Sequence, residues 1–528
     1  MSKLTWLSTV LGVAGLWATL AAQSGPPAGI IHGSVKSADG VAMEGVIVSA
    51  RAADRSFTTS VFTDRQGNYT FPSLDAGQYK VWAQAVGFEA GRSEFALGGG
   101  RVERSLTLTA LKDTDRIVKQ MSGVEYLGRV RGDTQLSNLK LRPRPSGEAT
   151  QVVITEFDLP RTDRPLHFDD GSDWSMGTPS RFIGRAAHDV WADAEGIIWM
   201  ADDMVPHRTF ARLDPRTGKV TDYALPGPDG KSLGTHSIVV DHLGKVWAAA
   251  EDDNFAMLNP KTGEMKSFPR PQGIKGEVGG TLDVDSKGNP WATSRNGAIK
   301  LDAVTSQYTY YEGPPAPEGY CGGECGGWGT YGITVDKDDN AWVTNPGLDR
   351  LLKVDSRTGK VTAVNLGPLA TPEVIVIDRQ RQLTIRGSQN GAVVGQRAPR
   401  RLAADPNSDR VWVALYTGDR LARIDTKTLQ VKEYPLPTPY SSPYATAVDK
   451  RGVVWITTMN NDVLTKFDPK TERFTEYPLP TRGTEIRHVQ VDNRTDPPTV
   501  WAPYNRTNKV VRIQFRGPAT QQQTRAAR

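Results

Sequence analysis

Two stretches of the 528-residue chain read HDVWADAEGIIW at residues 188–199 and HSIVVDHLGKVW at residues 236–247. In both, an Asp follows a short apolar segment, and a Trp stands six residues after that Asp. A Trp that closes a short strand, with an opening Asp before it, recurs further along the chain, at Trp291, Trp342, Trp412, Trp455 and Trp501. Self-similarity with a period of roughly 45 residues is typical of propeller blades, each built from four short strands. The pattern therefore predicts an all-β chain dominated by a repeat fold.

The remainder of each repeat supports this interpretation. The second strand is followed by an Asp or Asn turn with Thr three residues on, as at Asp214 and Thr217, and several repeats end in a tail such as Tyr434-Pro-Leu-Pro437. Apolar residues alternate rather than recurring every three or four positions, which disfavours a helical solenoid. Seven Trp strands predict a seven-bladed β-propeller, over residues 151–516.

One repeat is incomplete, and this predicts how the ring closes. The seventh repeat ends near Ile513 without a tail strand, whereas residues 154–160 precede the first repeat and look like a tail without a blade. We expect this N-terminal segment to supply the missing outer strand, because closure removes an exposed sheet edge.

A separate β pattern precedes the repeats. Short alternating strands and Gly-containing turns fill residues 28–111 and predict a small β-sandwich. The motifs at residues 33–35, 45–48, 63–71 and 74–81 resemble the carboxypeptidase regulatory-like domain. The resemblance implies a non-catalytic spacer or docking module with a fold like that of carbohydrate-binding domains.

The remaining segments predict export and a linker. Residues 1–23 combine Lys3 with an apolar run and small residues, which favours a cleaved secretory signal peptide over an uncleaved anchor helix. We therefore expect an exported protein: periplasmic, cell-surface or secreted. Residues 112–150 are interpreted as a linker, with a helix over 115–127 and an extended tether after it, and residues 517–528 as a disordered tail.

Composition excludes several functions. There are 64 Lys and Arg against 59 Asp and Glu, a net charge of +5 without a dense basic block, so no nucleic-acid partner is expected. The 2 Cys cannot build a four-cysteine zinc site, and no C-x-x-C-H motif for haem c is present. No nucleotide cofactor is expected either. Cys321 and Cys325 lie in a Gly-rich insertion and predict a local disulfide, with metal binding and a reactive thiol pair as weaker alternatives.

The candidate site follows from aligning the repeats on the opening Asp. The residue five positions earlier starts each innermost strand, and such positions line the mouth of a propeller channel. They are His188, His236, Gly280, Tyr331, Arg400, Tyr444 and Arg487. Either these side chains are polar because water reaches them, or they bind an anionic or aromatic group.

Acidic loops should return to the same mouth. Asp202, followed by His207, comes shortly after the first Trp, and Glu251 after the second. A His facing a carboxylate can be fixed in one tautomer or share a divalent ion, whereas the alternative is that these acids cap turns. The sequence predicts His188, Asp202, His207 and His236 as catalytic candidates, Asp202 and Glu251 as metal ligands, and Tyr331, Arg400, Tyr444 and Arg487 as substrate-binding residues.

The repeats resemble the virginiamycin B (streptogramin) lyase family over residues 154–513. The shared features are the His-to-Trp segments quoted above, the Thr-Gly turns and the Tyr-x-Leu-Pro tails. The resemblance implies magnesium-dependent β-elimination on a cyclic depsipeptide. His188 matches the family's first His, Asp202 stands at its Glu position, and His207 lies two residues beyond its second His position, so no blade carries the complete motif.

Three functions are therefore weighed. The first is a lyase-like propeller that binds a small or cyclic ligand at the channel mouth, with Mg²⁺ implied by the resemblance. The second is a non-catalytic propeller that recognises a peptide, a glycan or an exported protein. The third is a metal-dependent lactonase or hydrolase.

Overall fold

The computed structural model describes residues 28–121, 142–160, 174, 187–202, 209–227, 234–250, 253–315, 329–366 and 397–516. The predicted signal peptide (1–23), His207, Glu251, Cys321, Cys325 and the predicted tail (517–528) lie outside these residues. Within the described part, no helix is long and apolar enough to span a membrane. Almost all of the described regular structure is β, which confirms the all-β prediction.

An N-terminal β domain is present, as predicted, and its two sheets enclose one core. One sheet has the order β4–β1–β5, with β8 and β9 running parallel to β1, and the other contains β3–β2–β6–β7. Val35 and Tyr69 from the first sheet pack with Val48 and Val81 from the second in one buried cluster. Its strands are β1 (Ala28–Ser37), β2 (Ile47–Ala52), β3 (Phe57–Phe62), β4 (Asn68–Thr70), β5 (Leu74–Asp75), β6 (Gly77–Gln84), β7 (Gly91–Leu97), β8 (Gly100–Glu103) and β9 (Leu106–Leu108).

After this domain the described chain forms six separate four-stranded antiparallel sheets, each made of consecutive strands. The first strand of each sheet lies innermost, next to the first strands of its neighbours. The strands are β11 (Ala187–Ala192), β12 (Ile198–Asp202), β13 (Phe210–Asp214), β14 (Lys219–Tyr223), β15 (Thr235–Val240), β16 (Val246–Ala250), β17 (Asn254–Leu258), β18 (Met265–Pro269), β19 (Leu282–Val284), β20 (Pro290–Ser294), β21 (Gly297–Leu301), β22 (Tyr308–Glu312), β23 (Ile333–Val335), β24 (Ala341–Asn345), β25 (Arg350–Val354), β26 (Val361–Asn365), β27 (Pro399–Ala404), β28 (Arg410–Leu415), β29 (Arg420–Asp425), β30 (Val431–Pro435), β31 (Pro443–Val448), β32 (Val454–Thr458), β33 (Val463–Asp468) and β34 (Arg473–Pro478).

The Asp and Trp of each repeat have a common structural role. In the fourth sheet, Asp336 accepts backbone hydrogen bonds from the turn that it opens, and its Oδ2 accepts from Trp342 Nε1 at 2.8 Å. The six-residue spacing places the indole over the turn, so the buried N–H is satisfied as a buried donor must be. In the fifth sheet the Asp and the Trp are seven residues apart, and this hydrogen bond is absent. Asp405 Oδ2 accepts from Ser408 Oγ instead, and Trp412 Nε1 has no partner among the described residues.

The ring closes through a strand from the beginning of the repeat region, as predicted. Strands β35 (Gln490–Asp492), β36 (Thr499–Tyr504) and β37 (Lys509–Phe515) are completed by β10 (Val152–Asp158), which pairs antiparallel with β37 from Val152 opposite Phe515 to Asp158 opposite Lys509. The innermost strand β11 then lies against β35 and β36, so the last sheet adjoins the first.

The opposite edge of β10 is also paired, which the sequence did not predict. β10 pairs antiparallel with β3 of the N-terminal domain, and one eight-stranded sheet therefore runs from the propeller into the sandwich. Val153 lies in the sandwich core, whereas Ile154 lies in a propeller core cluster. Arg51 of β2 and Lys509 of β37 both form ion pairs with Asp158. The two domains are joined by main-chain hydrogen bonds and by buried charge.

The described parts of the predicted linker, residues 112–121 and 142–150, form a short helix and contacts with both domains. Helix α1 (Thr114–Lys119) covers the start of the predicted helix, of which residues 122–127 lie outside the described part of the chain. It is capped by Asp113, whose carboxylate accepts the N–H groups of the first turn. Residues 142–150, expected to be an extended tether, instead contact both domains. Arg144 Nε donates to the Glu44 carbonyl at 2.7 Å, and Glu148 accepts from Tyr477 Oη at 3.1 Å.

Candidate functional site

Four of the seven predicted channel-mouth residues lie at irregular positions of the innermost strands, and Gly280, Tyr331 and Arg487 precede their strands. In β11, β15 and β31 the pairing register shifts by one residue, and the residues that the shift passes over are His188, His236 and Tyr444. A similar shift in β27 falls across Arg400 and Arg401. A β-bulge re-aims the side chains around it. Four of the innermost strands therefore turn their first side chains away from regular alternation at the same end of the ring.

His188 lies in a buried network with groups from two other sheets. Its Nδ1 is 2.8 Å from Asp189 Oδ1, whose other oxygen accepts from Arg401 Nη1 at 2.9 Å and from Ser237 Oγ at 2.6 Å. His188 and Asp189 are 0% exposed. Because the carboxylate accepts a hydrogen bond from Nδ1–H, the proton of the neutral imidazole is on Nδ1 and Nε2 carries the acceptor lone pair. Nε2 has no hydrogen-bond partner among the described residues.

Burial and neighbouring charges set the protonation of this network. Desolvation lowers the pKa of His188 to about 3, although its bond to Asp189 acts in the opposite direction. Burial alone would raise the pKa of Asp189, but Arg401, His488 and His188 together hold it well below its usual range. At neutral pH the imidazole is therefore neutral and the carboxylate ionised.

His236 lies against His188, with ring centroids 3.8 Å apart. Its Nδ1 is 2.7 Å from the carbonyl oxygen of Gly280, so this nitrogen is the donor. A Cβ on Gly280 would lie 3.0 Å from the same nitrogen, which explains why Gly occupies this place in the third repeat. The structure thus brings together the two predicted His residues, both with Nδ1 as donor.

The predicted Tyr and Arg residues form an aromatic cage around one cation. The Arg400 guanidinium lies 4.7 Å from the Tyr331 ring centroid, 4.9 Å from that of Tyr416 and 5.7 Å from that of Tyr444. The hydroxyls of Tyr331 and Tyr444 are hydrogen-bonded to each other. Tyr331 also packs edge-on against His236, at 6.4 Å between centroids, so the cage adjoins the histidine pair. We call Arg400 with Tyr331, Tyr416 and Tyr444 the tyrosine cage.

Arg400 differs from the other arginines at the mouth. It is 8% exposed, it forms no ion pair within the described residues, and its Nε has no partner there. Arg401 pairs with Asp189, and Arg487 with Glu485, which also binds Arg506 at 2.8 Å. Of the two arginines predicted to bind substrate, Arg487 already pairs with Glu485, whereas Arg400 is a buried cation without an anion among the described residues.

Four residues at the site were not selected from the sequence: Asp189, Arg401, Tyr416 and His488. Asp189, rather than Asp202, holds His188 Nδ1. His488 Nδ1 accepts from Val190 N at 3.4 Å, and His488 lies close enough to Asp189 to lower that carboxyl's pKa. Desolvation lowers the pKa of His488 itself to about 4.

The described residues do not assemble a magnesium site. Asp202 ends β12, buried, opposite Ala187. Within the described part of the chain, no group of three His, Cys, Asp or Glu side chains converges as a metal ion requires. Glu251 and His207 lie outside it, so we derive no step through Mg²⁺.

Comparison with known proteins agrees with both parts of this fold. Residues 30–110 match the model of the carboxypeptidase regulatory-like domain. No curated protein matches the sequence. Among solved structures, a streptogramin B lyase aligns at 19% identity over 70% of this chain and 100% of its own, with a TM-score of 0.50. A catalytically inactive virginiamycin B lyase from Staphylococcus aureus, solved with quinupristin, aligns at 16% identity over 69% of this chain and 99% of its own, also at 0.50.

These matches define the class of protein: a β-propeller preceded by a carboxypeptidase regulatory-like domain. The propeller has the fold of the virginiamycin B lyases, as the sequence motifs predicted. At this identity the likeness concerns the fold, and function has to be argued from the site.

Proposed function

We propose that this is an exported protein whose propeller binds the anionic group of a small or cyclic ligand at the channel mouth. The observation that carries the proposal is Arg400, a buried guanidinium held by three aromatic rings without a carboxylate partner in the described structure. Burying an unpaired charge is costly, and a ligand carboxylate, or an ester carbonyl that gains negative charge, would compensate it.

The neighbouring histidines supply the second half of the binding site. Neutral His188 and its neighbour His236 both have Nδ1 as donor. His188 Nε2, which has no hydrogen-bond partner among the described residues, would accept from a ligand N–H or O–H group, while Arg400 offers donors beside the same Tyr331 ring that His236 contacts. An amide- or hydroxyl-bearing acid, such as a peptide or a depsipeptide, matches this combination. Recognition without chemistry is the function that this geometry supports best.

β-Elimination is a second candidate, favoured by the His188–Asp189 pair. In that reaction a base takes a proton next to a carbonyl, the C–O bond of the ester breaks, a C=C bond forms and the carboxylate leaves. His188 Nε2 would receive the proton, and Arg400 would stabilise negative charge. However, a pKa of about 3 makes this imidazole a weak proton acceptor at neutral pH. Binding is therefore proposed first and elimination second.

The test measures binding and turnover with the same compounds. Linear peptides with a free or amidated C-terminus and cyclic depsipeptides are titrated by calorimetry, and the mixtures are analysed by mass spectrometry with and without Mg²⁺. We expect carboxylate-dependent binding that weakens at least tenfold in Arg400→Gln and is unchanged in Arg357→Gln, an exposed control on the propeller. Binding that is equal in Arg400→Gln would refute the proposal. An opened, unsaturated product that disappears in His188→Ala would establish elimination as well.

A further inference from the structure

A second candidate site lies at the junction of the two domains, and none of the channel-mouth residues lines it. A cavity of about 380 Å³ opens between the sandwich, residues 142–146 and the sheet formed by β31–β34. Ile47, Phe62, Val86 and Trp174 contribute apolar walls. This volume lies in the range of small-molecule sites, which occur preferentially at domain interfaces.

Arginines give one side of this cavity a positive charge. Arg142, Arg144 and Arg482 all line it, against a single lining carboxylate, Glu44. Arg142 is neutralised by Glu476 at 2.8 Å, outside the lining. Arg144 Nε donates a hydrogen bond to the Glu44 carbonyl oxygen. Arg482 forms no ion pair within the described residues, and its Nε is buried without a hydrogen-bond partner there.

Trp174 holds Arg482 in position. The guanidinium lies 4.2 Å from the Trp174 ring centroid, and the indole Nε1 donates to the Pro480 carbonyl at 2.8 Å. The Trp is 6% exposed, so its orientation is fixed by packing as well as by this bond. A guanidinium over an aromatic ring keeps its edge N–H groups available to an acceptor in the guanidinium plane. The arrangement is a prepared donor group at the wall of an apolar cavity.

We infer that this junction cavity binds a small organic monoanion, a carboxylate with an apolar body, through Arg482. The apolar walls contact the hydrocarbon part, and Arg482 donates hydrogen bonds to the carboxylate in the fork geometry that guanidinium groups favour. Because sandwich, connecting segment and propeller all line the cavity, the ligand would contact both domains and stabilise their association. This inference is independent of the channel-mouth proposal.

The experiment titrates the full chain with octanoate and phenylacetate, beside their neutral amides, by calorimetry. We expect saturable binding of at least one acid, at least tenfold weaker binding of its amide, and at least tenfold weaker binding to Arg482→Gln. The affinities of Arg400→Gln and Arg357→Gln for the same acid should lie within twofold of the wild-type affinity. This separates the junction cavity from the channel mouth, because loss in Arg400→Gln alone would place the ligand at the tyrosine cage and overturn the inference.

A second variant covers the case in which Arg482→Gln fails to fold. Val86→Phe narrows the cavity without changing its charge. We expect this variant to bind the acid at least fivefold more weakly while the free protein keeps its thermal unfolding transition. Absence of binding to the unchanged protein, equal affinity for acid and amide, or unchanged affinity in both variants would overturn the inference.

Discussion

Replacing Asp189 with Ala probes the network beneath the channel mouth. The carboxylate accepts three hydrogen bonds, from His188, Arg401 and Ser237. Its removal leaves the Arg401 guanidinium, whose side chain is 8% exposed, without an anion. Removing one partner of a buried ion pair typically costs about 3–5 kcal/mol, because the remaining charge is uncompensated. We expect Asp189→Ala to lower the free energy of unfolding of the propeller by an amount in that range.

The assay is urea-induced unfolding at neutral pH, followed by tryptophan fluorescence. Glu472→Gln is the matched control, since Glu472 pairs with Lys432 on the propeller surface and both side chains are about half exposed. Exposed pairs contribute roughly 0–1 kcal/mol. The double variant Asp189→Ala/Arg401→Ala should cost less than the sum of the two single variants, because the uncompensated charge is then gone. A loss in Asp189→Ala no larger than in Glu472→Gln, or strict additivity, would refute the assigned network.

Three further predictions follow from the repeat, the histidine pair and the buried imidazoles. Trp342→Phe should lower the free energy of unfolding in urea by about 1 kcal/mol more than Trp412→Phe, because only Trp342 has a described indole hydrogen bond to an Asp. Equal losses of unfolding free energy in the two variants would contradict the role given to the Asp–Trp spacing. Gly280→Ala should weaken ligand binding several-fold in calorimetry with little change in melting temperature, since its Cβ would displace His236, and unaltered affinity would contradict this placement. Stability should fall as the pH decreases from about 6.5 toward 4, because both histidines take up protons in the unfolded chain but remain neutral in the folded protein, where the pKa of His188 is about 3 and that of His488 about 4. The melting temperature should fall less steeply over this range in His488→Gln. An equally steep fall in the variant would contradict the assignment.

The repeat was predictable because each unit carries its own local chemistry. The opening Asp, its turn and the Trp six residues on satisfy one another within one sheet, so the pattern is visible in every unit that keeps the spacing. Closure by β10 was predictable for the same reason, since an unpaired tail has a recognisable sequence. The N-terminal domain was identified by motifs spread over almost its whole length, and the matched residues 30–110 agree with it.

The junction between domains could not be predicted in this way. The pairing of β10 with β3 consists of main-chain hydrogen bonds along two strand edges, and such pairing leaves no periodic signal in the side chains. Thr155 and Thr59, which face each other there, are residues that suit many strand positions. Residues 142–146 read as an extended linker because their contacts are with segments distant in sequence.

The site was predicted in part, and the bulges explain the rest. Strict alternation turns only every second residue of β11 toward the channel, so choosing His188 excluded Asp189. The bulge at His188 brings both residues into one network, and the shift in β27 does the same for Arg400 and Arg401. Bulges depend on how neighbouring strands fit together, and residues 187–189 contain no Gly or Pro that would have indicated the bulge in β11.

The most direct test of the channel-mouth proposal is anomalous diffraction from a crystal soaked in bromide. The ion reports whether Arg400 accepts an external anion, without requiring the natural ligand. The account predicts a bromide peak in contact with the Arg400 guanidinium, inside the tyrosine cage, and its loss in Arg400→Gln. A guanidinium that proves to be paired with a carboxylate of the chain itself, with no bromide beside it, would contradict the account.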